Sequence, residues 1–227
     1  MKGLLFSQME PPPGEEEDFH DWYETEHIAV RMALPGFAAA VRYEAIEGEP
    51  RFLACYHVDD LTALETPGYR KLKSDPGERT ARMLARVRGF TRYLGEQISD
   101  TGPSDEKSGY LSVVAFSVPD AFRADFDAWY GDEHVPLLMK ADGWLRVRRY
   151  TVRPGFEGPA WTHLALHELR DPSVMDSPER AAARDTPRRA ALAAHDWFGR
   201  SGRWLYRAIH ATGDAGVGVP TDRKDHQ

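Results

Sequence analysis

The stretch DFHDWYETEHIAVRMALPGF, residues 18–37, recurs as DFDAWYGDEHVPLLMKADGW, residues 125–144. The shared Trp-Tyr-x-x-Glu-His element returns after 107 residues, so that His27 corresponds to His134. Farther along the chain the spacing between matches grows to 111 residues, as between Tyr56 and His167. A self-similarity of this length indicates two copies of one structural unit.

Each copy shows the same order of predicted elements. Apolar runs such as GLLFSQM and GYLSVVAFSV, rich in β-branched or aromatic residues, are typical of strands. Acidic residues precede the quoted helix in both copies, at the positive end of the helix dipole. A second helical region contains an internal proline, which breaks or kinks a helix. The resulting order, βαββαβ, is the ferredoxin-like unit.

We therefore predict an α+β protein made of two tandem ferredoxin-like units. The predicted boundaries are a first repeat at 1–98, a linker at 99–109, a second repeat at 110–211 and a disordered tail at 212–227. One such unit leaves one face of its sheet bare, and burying apolar surface contributes roughly 25 cal/mol per Å². The two sheets should therefore close on each other as an internal dimeric α+β barrel.

This arrangement resembles the dimeric α+β barrel superfamily, and the helix element resembles its EthD-like members. The resemblance rests on DWYETEHIAVRMALPGF and AWYGDEHVPLLMKADGW, together with VDDLTALETP and LRDPSVMDSP after the third strands, and it covers residues 2–209. It implies a ligand pocket near the end of the helix. The superfamily includes monooxygenases, dehydratases, cyclases, decarboxylases, isomerases and haem-handling enzymes, so the resemblance does not fix the reaction.

Composition narrows the range of partners. The 227 residues carry a net charge of −7, which disfavours nucleic acid and anionic lipid as partners. The N-terminal apolar run is too short for a signal peptide, and we expect a cytoplasmic protein that binds a small molecule and can form a homodimer. The single cysteine, Cys55, excludes an intrachain disulfide and a multi-cysteine metal site.

No sequence motif points to a cofactor or a metal. The chain lacks GxGxxG, P-loop, GxSxG and HExxH patterns. His163 and His167 lie on the same face of a predicted strand, because side chains alternate between its two faces. Histidines four residues apart on a strand nevertheless have Cα atoms about 13 Å apart, which is too far for one ion. The expected chemistry therefore needs only an acid, a base and a shaped apolar pocket.

The histidines of the repeated element are the catalytic candidates. In a regular α-helix Phe19, Tyr23, His27 and Val30 form one stripe that faces the sheet. Histidine titrates near neutrality, so His27 and His134 are suited to proton transfer, with an expected pKa of roughly 6 to 7 unless burial moves it. The alternative is that both are structural side chains hydrogen-bonded within the fold, since both halves keep them.

Substrate contacts are predicted from the neighbouring aromatic and polar residues. The second half is more polar than the first, and its sheet arginines could hold an anionic substrate or form ion pairs. The candidates for this anion contact are Arg146, Arg148, Arg149 and Arg203. The predicted substrate-binding set as a whole is Trp22, Tyr23, Arg42, Tyr56, Trp129, Tyr130, Arg149 and His167. For the aromatic members the alternative is a purely structural place in the core.

These residues favour a cofactor-independent enzyme that acts on a hydrophobic, aromatic or polyketide-like substrate by histidine acid/base chemistry. Dehydration, cyclisation or isomerisation all fit. A first alternative is a non-catalytic small-molecule binding or scaffold protein. A second is a haem-handling or monooxygenase member of the same superfamily, for which His195 is the candidate haem ligand outside the repeated helices.

Overall fold

A computed structural model describes residues 2–102, 106–154 and 157–221. Its eight strands are β1 (Gly3–Glu10), β2 (Phe37–Glu47), β3 (Phe52–Val58), β4 (Arg88–Thr101), β5 (Tyr110–Phe116), β6 (Trp144–Val152), β7 (His163–Leu169) and β8 (Ser201–Gly213). They form one closed antiparallel barrel in the order β1-β3-β2-β8-β5-β7-β6-β4. Each half of the chain supplies four adjacent strands, and the predicted α+β fold of two ferredoxin-like units is confirmed.

Two seams between the halves close the barrel. Strand β2 pairs with β8, with Tyr43 opposite Ala208, and β4 pairs with β6, with Gly95 opposite Val152. At the second seam a Cβ atom on Gly95 would lie 3.0 Å from the Cβ of Tyr150. A bare backbone therefore lets the two strands approach past the tyrosine ring.

The barrel interior is a packed core. Leu4 and Phe6 from the first half meet Val113, Leu164 and their neighbours from the second half. This apolar filling is the reason why the two sheets stay joined, since each covers the face that the other would leave in water. Burial is nearly complete for the interior side chains, among them Val41, Leu53, Cys55, Leu111, Leu166 and Tyr206.

One ionic cluster lies among these interior side chains. Arg148 is buried and forms an ion pair with the buried Glu168 of the neighbouring strand. The same guanidinium lies 3.1 Å from the Nδ1 atom of His57, which belongs to the first half. A buried arginine is tolerated only when such partners satisfy it. The cluster therefore links the two halves by polar contacts inside an apolar core.

The helices cover the outer faces of the sheets. In the first half they are α1 (Glu16–Trp22), α2 (Ile28–Met32), α3 (Pro67–Ser74) and α4 (Glu78–Leu84). In the second half they are α5 (Arg123–Trp129), α6 (Val135–Leu138), α7 (Pro178–Arg184), α8 (Pro187–Ala193) and α9 (Asp196–Gly199). None of the helices in the described ranges is both long enough and apolar enough to cross a membrane.

Local sequence explains where the helices begin and end. Thr66, Ser177 and Thr186 cap α3, α7 and α8, because each side chain accepts a hydrogen bond from a backbone N–H of the first turn. After α2 and α6 the chain reverses at Gly36 and Gly143, whose φ angles of 86° and 92° favour glycine. The glycine that follows the repeated element is therefore a requirement of the turn.

The predicted boundaries around the linker and the tail are wrong in part. Strand β4 continues to Thr101, inside the predicted linker. Strand β8 continues to Gly213, and beyond it Ala215 and Val217 are buried against the barrel core. Val217 also pairs with Ser108 in an isolated bridge. The segment 212–221 is thus part of the fold, whereas 222–227 lies outside the described residues. Apolar burial at the barrel end orders a segment that shows no periodicity in sequence.

The ordered tail should contribute measurably to stability. Deleting residues 214–227 should lower the free energy of unfolding by about 2 to 3 kcal/mol, because it exposes the barrel end that Ala215 and Val217 cover. Urea unfolding monitored by circular dichroism measures the change. The control is a chain that ends at Thr221. Equal midpoints for the two truncations would contradict the structural role of this segment.

Candidate functional site

The repeated element is a π-helical turn in both halves. Residues Tyr23–His27 and Tyr130–His134 join α1 to α2 and α5 to α6. The N–H of Ile28 bonds to the carbonyl of Tyr23, five residues earlier, which inserts one extra residue into the helix. The residues after the π-helical turn are therefore rotated about the helix axis relative to a regular α-helix. As a result Ile28 is buried, whereas Val30 is 39% exposed. The expectation that Val30 faces the sheet is wrong for this reason.

The glutamates of the element tie the first helix to the second helical region. The Thr80 hydroxyl donates to Glu26 at 2.7 Å, and Thr186 donates to Glu133 in the same way. In the first half the indole N–H of Trp22 also donates to Thr80, at 2.9 Å. These contacts fix the distance between the helices in each half. They are structural, and they leave the tyrosine and histidine of each element free for other contacts.

Arg42 and Arg149 hold the first helix of each half onto the sheet. The Arg42 guanidinium donates to Glu24 at 2.9 Å and lies 4.5 Å from the ring centroid of Tyr23. Arg149 pairs with Asp127 and lies 4.7 Å from the ring of Tyr130. Neither lines a cavity described in this structure. We therefore assign to these two arginines a structural role, in which cation–π contacts and ion pairs hold the helix on the sheet, instead of the substrate contacts predicted from sequence.

Two cavities occupy matched positions between the helices and the outer sheet faces. The first-half cavity has a volume of about 220 Å³ and is lined by Tyr23, His27 and Tyr56. The second-half cavity has a volume of about 140 Å³ and is lined by their counterparts Tyr130, His134 and His167. Of the two predicted tryptophans, Trp129 lines the second-half cavity, whereas the fully buried Trp22 lines neither cavity.

A hydrogen-bond relay runs along the wall of the second-half cavity. The indole N–H of Trp144 donates to Nδ1 of His167 at 3.2 Å. An indole can only donate, so a neutral His167 carries its proton on Nε2, which lies 2.8 Å from the Tyr130 hydroxyl. Burial lowers the pKa of His167 to about 3, which keeps the ring neutral. The Tyr130 oxygen therefore accepts from His167, and its own proton is available to a ligand.

His134 presents a neutral imidazole at the same cavity. Its Nδ1 lies 3.0 Å from the carbonyl oxygen of Ala183, and a carbonyl only accepts, so the proton is on Nδ1. Nε2 then carries the free lone pair. Burial lowers the pKa of His134 from its ordinary value of 6.5 to about 4, and the nearby Arg189 and Arg184 act in the same direction. The expected value near 6 to 7 is therefore corrected downwards.

The first-half cavity lacks this relay. Tyr56 stands in place of His167 and Phe37 in place of Trp144. Among the described residues, the Tyr56 hydroxyl and Nδ1 of His27 are buried without a hydrogen-bond partner. Burial holds the pKa of His27 well below 6.5. The two halves thus share a motif but not its polar connections, and the second-half cavity is the candidate functional site.

Three of the four predicted anion-binding arginines are already paired. Arg146, Arg148 and Arg149 contact Asp100, Glu168 and Asp127, so the alternative of an ion-paired strand face applies to them. Arg203 lines the second-half cavity. Sequence reasoning missed the other cationic lining residues, Arg180, Arg184 and Arg189, because an Arg-rich amphipathic helix does not by itself show which arginines face a cavity. It also missed Trp144 as a residue of the site. The available signal was its position directly after Gly143, where both repeats have an aromatic residue.

The remaining candidate ligands lie apart from this site. His195 is exposed, and its ring packs against Phe122 with a centroid separation of 4.3 Å, outside the second-half cavity. Within the described ranges no group of three His, Cys, Asp or Glu side chains is arranged to hold a metal ion.

Comparison with solved structures relates the whole fold to several proteins. An anthrone oxidase-like protein superposes with a TM-score of 0.67 at 11% identity, over 96% of this chain and 95% of the other. A protein described as a monooxygenase from Fusobacterium nucleatum gives 0.63 at 10% identity, over 95% of both chains. A mutant chlorite dismutase from Candidatus Nitrospira defluvii gives 0.58 at 11% identity, over 92% and 90%.

No family model matches the chain, and no curated protein matches it. The likeness to the solved structures shows the dimeric α+β barrel fold, since identities this low carry no more than the fold. The finer resemblance to EthD-like proteins stays a prediction.

The two tryptophans of the repeated element should differ in their response to phenylalanine. Trp22→Phe leaves the Thr80 hydroxyl without its indole donor, whereas Trp129→Phe removes an indole N–H that is buried without a partner. We expect Trp22→Phe to destabilise the fold by about 1 kcal/mol more than Trp129→Phe. Chemical unfolding of both variants measures this difference. The reverse order would contradict the assigned hydrogen bonds.

Acid should destabilise the protein through its buried histidines. Burial depresses the folded-state pKa of His27, His57, His134 and His167 below 6.5, so the stability they contribute is present above that pH and is lost as pH falls. His134→Gln should flatten the dependence of unfolding free energy on pH between about 6.5 and 4 by up to one proton, about 1.4 kcal/mol per pH unit. Urea titrations across this range test it. Identical slopes for variant and wild type would contradict burial as the cause.

Proposed function

We propose that the second-half cavity is the active site of a cofactor-independent oxygenase of the anthrone-oxidase type, acting on an aromatic, polyketide-like carbon acid. The observation that carries the proposal is the pairing of two groups at one apolar cavity. Nε2 of His134 has a free lone pair, and the Tyr130 hydroxyl is polarised by His167. A base and a hydrogen-bond donor at one cavity suit the formation of an enolate.

In this proposal His134 removes a proton from the CH₂ group next to the substrate carbonyl. The Tyr130 hydroxyl donates to the oxygen on which the negative charge develops. The electron-rich enolate then reduces dioxygen. The balanced change is CH₂ + O₂ → C=O + H₂O, in which one oxygen atom enters the product and the other leaves as water. The base and the donor are both supplied by this chain.

The low pKa of His134 limits the proton transfer that it can drive. An imidazole of pKa about 4 is a weak base towards a carbon acid, so catalysis depends on stabilising the enolate. The Tyr130 donor and the positive charge of Arg180, Arg184 and Arg203 at the cavity supply that stabilisation. The enolate in turn favours the protonated form of His134, since an opposite charge nearby raises a histidine pKa.

The size and lining of the cavity suit an aromatic ring. A volume of about 140 Å³ is comparable to that of a closed cavity that holds benzene, and this cavity is partly open to larger groups. Its walls include Phe116, Trp129, Trp144 and Phe198. Aromatic walls pack well against a planar substrate.

The names of the similar structures favour oxidation over the dehydration, cyclisation or isomerisation expected from sequence. Two of them are described as anthrone oxidase-like and as a monooxygenase. For the haem-handling alternative, His195 is the candidate ligand outside the repeated helices; it is exposed and lies outside the cavity, and we do not carry this alternative forward. Binding without turnover is the second candidate, because the low pKa of His134 fits a hydrogen-bond acceptor as well as a base.

The assay is oxygen uptake with anthrone as the probe. His134→Gln retains a donor for the Ala183 carbonyl and loses the base, so turnover should fall about 10²-fold or more while the fold is kept. Tyr130→Phe should also reduce kcat. The matched control is His27→Gln, which makes the same change in the first-half cavity and should leave turnover unchanged. The profile of kcat/KM should rise with pH through about 4 and stay level towards neutrality.

Three results would count against this function. They are no wild-type oxygen uptake above the uncatalysed rate, full turnover in His134→Gln, or an equal loss in His27→Gln. Anthrone binding without uptake would favour the binding protein instead.

A further inference from the structure

Four arginines line the second-half cavity: Arg180 and Arg184 from α7, Arg189 from α8 and Arg203 from β8. Within the described ranges, none of these four has a carboxylate at ion-pair distance. Other arginines of the chain are ion-paired, among them Arg42, Arg79, Arg146, Arg148, Arg149 and Arg170. In a protein of net charge −7, four arginines and a single carboxylate, Glu47, therefore line this cavity.

Three of the four guanidinium groups, those of Arg180, Arg189 and Arg203, are anchored by neutral partners. Arg180 donates to the Met175 carbonyl, and Arg189 donates to the Arg184 carbonyl at 3.0 Å. Arg203 donates to the Ser201 hydroxyl at 3.1 Å. These contacts orient the side chains without neutralising them. The cavity wall is thereby held in an arrangement that suits an anion.

The arginines also repel one another. Burial, followed by the charges of Arg184 and Arg203, lowers the pKa of both Arg180 and Arg189. Glu47 is the one carboxylate among the residues that line this cavity, and its charge, like that of Asp176, partly opposes the lowering at Arg180. Like charges held close together destabilise the unliganded protein, and a bound anion relieves that repulsion. A merely solvated charged surface would not need to place its arginines around one apolar cavity.

We propose that the second-half cavity binds an aromatic carboxylate, with its ring among the aromatic walls and its carboxylate against the arginine cluster. This inference rests on the proposed function in that it names the substrate class of the same site. It requires binding alone, so it can be tested without turnover. Arginine suits this ligand because its planar fork matches the two oxygens of a carboxylate.

The test uses naphthoate and its uncharged analogue naphthylmethanol, titrated into the full chain by calorimetry. Naphthoate should bind the wild type at least about 10-fold more tightly than naphthylmethanol, because hydrogen bonds to a charged carboxylate are stronger than those to a neutral hydroxyl. Added salt should weaken naphthoate binding and leave naphthylmethanol binding nearly unchanged.

Arginine variants then test whether naphthoate binds through the arginines that line the cavity. Arg184→Gln combined with Arg203→Gln should weaken naphthoate binding about 10-fold or more and leave naphthylmethanol unaffected. The matched control is Arg188→Gln, which removes the same charge from an exposed position of α8 that does not line the cavity. It should bind naphthoate like the wild type. Arg184→Lys combined with Arg203→Lys should keep part of the affinity that the double glutamine variant loses, because it keeps the charge.

Equal affinity of the wild type for the two ligands, or no naphthoate binding, overturns the proposal. So does a double glutamine variant with unchanged naphthoate affinity, or an Arg188→Gln variant that is equally impaired. If the double variant does not fold, the comparison of the two ligands on the wild type still decides. Carboxylate-selective binding without oxygen uptake from anthrone would sustain this inference and reject the proposed function. Oxygen uptake from anthrone without carboxylate-selective binding would sustain the proposed function and reject this inference.

Discussion

The mutual burial of two bare sheet faces is the constraint on which the rest of the structure depends. Each half has helices on one side of its sheet, and the other side is apolar, so neither half is complete alone. Closing the barrel fills its interior with side chains. Space for a ligand then remains on the outer side of each sheet, beneath the helices, which is where both cavities lie.

The repeated Trp-Tyr-x-x-Glu-His element serves this architecture in both halves. Its glutamate holds the second helical region through a threonine, and a sheet arginine packs on its tyrosine. The π-helical turn places the tyrosine and the histidine of each half at the cavity. These roles explain why the element occurs twice. The difference between the halves comes from residues outside it, because His167 and Trp144 replace Tyr56 and Phe37 and complete a relay in the second half alone.

Burial sets the protonation states at the candidate site. Desolvation disfavours charged imidazole, so His134 and His167 are neutral at neutral pH and act through their tautomers. One provides a lone pair and the other polarises a hydroxyl group. Positive charge enters instead through arginine, which stays protonated when partly buried. Neutral histidines beneath a cationic wall form an environment in which negative charge on a ligand is stabilised.

Apolar runs typical of strands, together with the internal repeat, were enough to predict the α+β fold, because the repeat defines the unit and the bare sheet face requires a partner. The sequence also identified Tyr130, His134 and His167, which line one cavity. It did not determine the π-helical phase, since an inserted residue has no periodic signal, and Val30 was misplaced for that reason. The sequence also did not show that Arg149 is ion-paired whereas Arg203 lines the cavity. Nor did it show that Val217 is buried against the core, in a segment predicted to be disordered. Only the tertiary structure decided these cases, because pairing and burial depend on neighbours that lie far away in the chain.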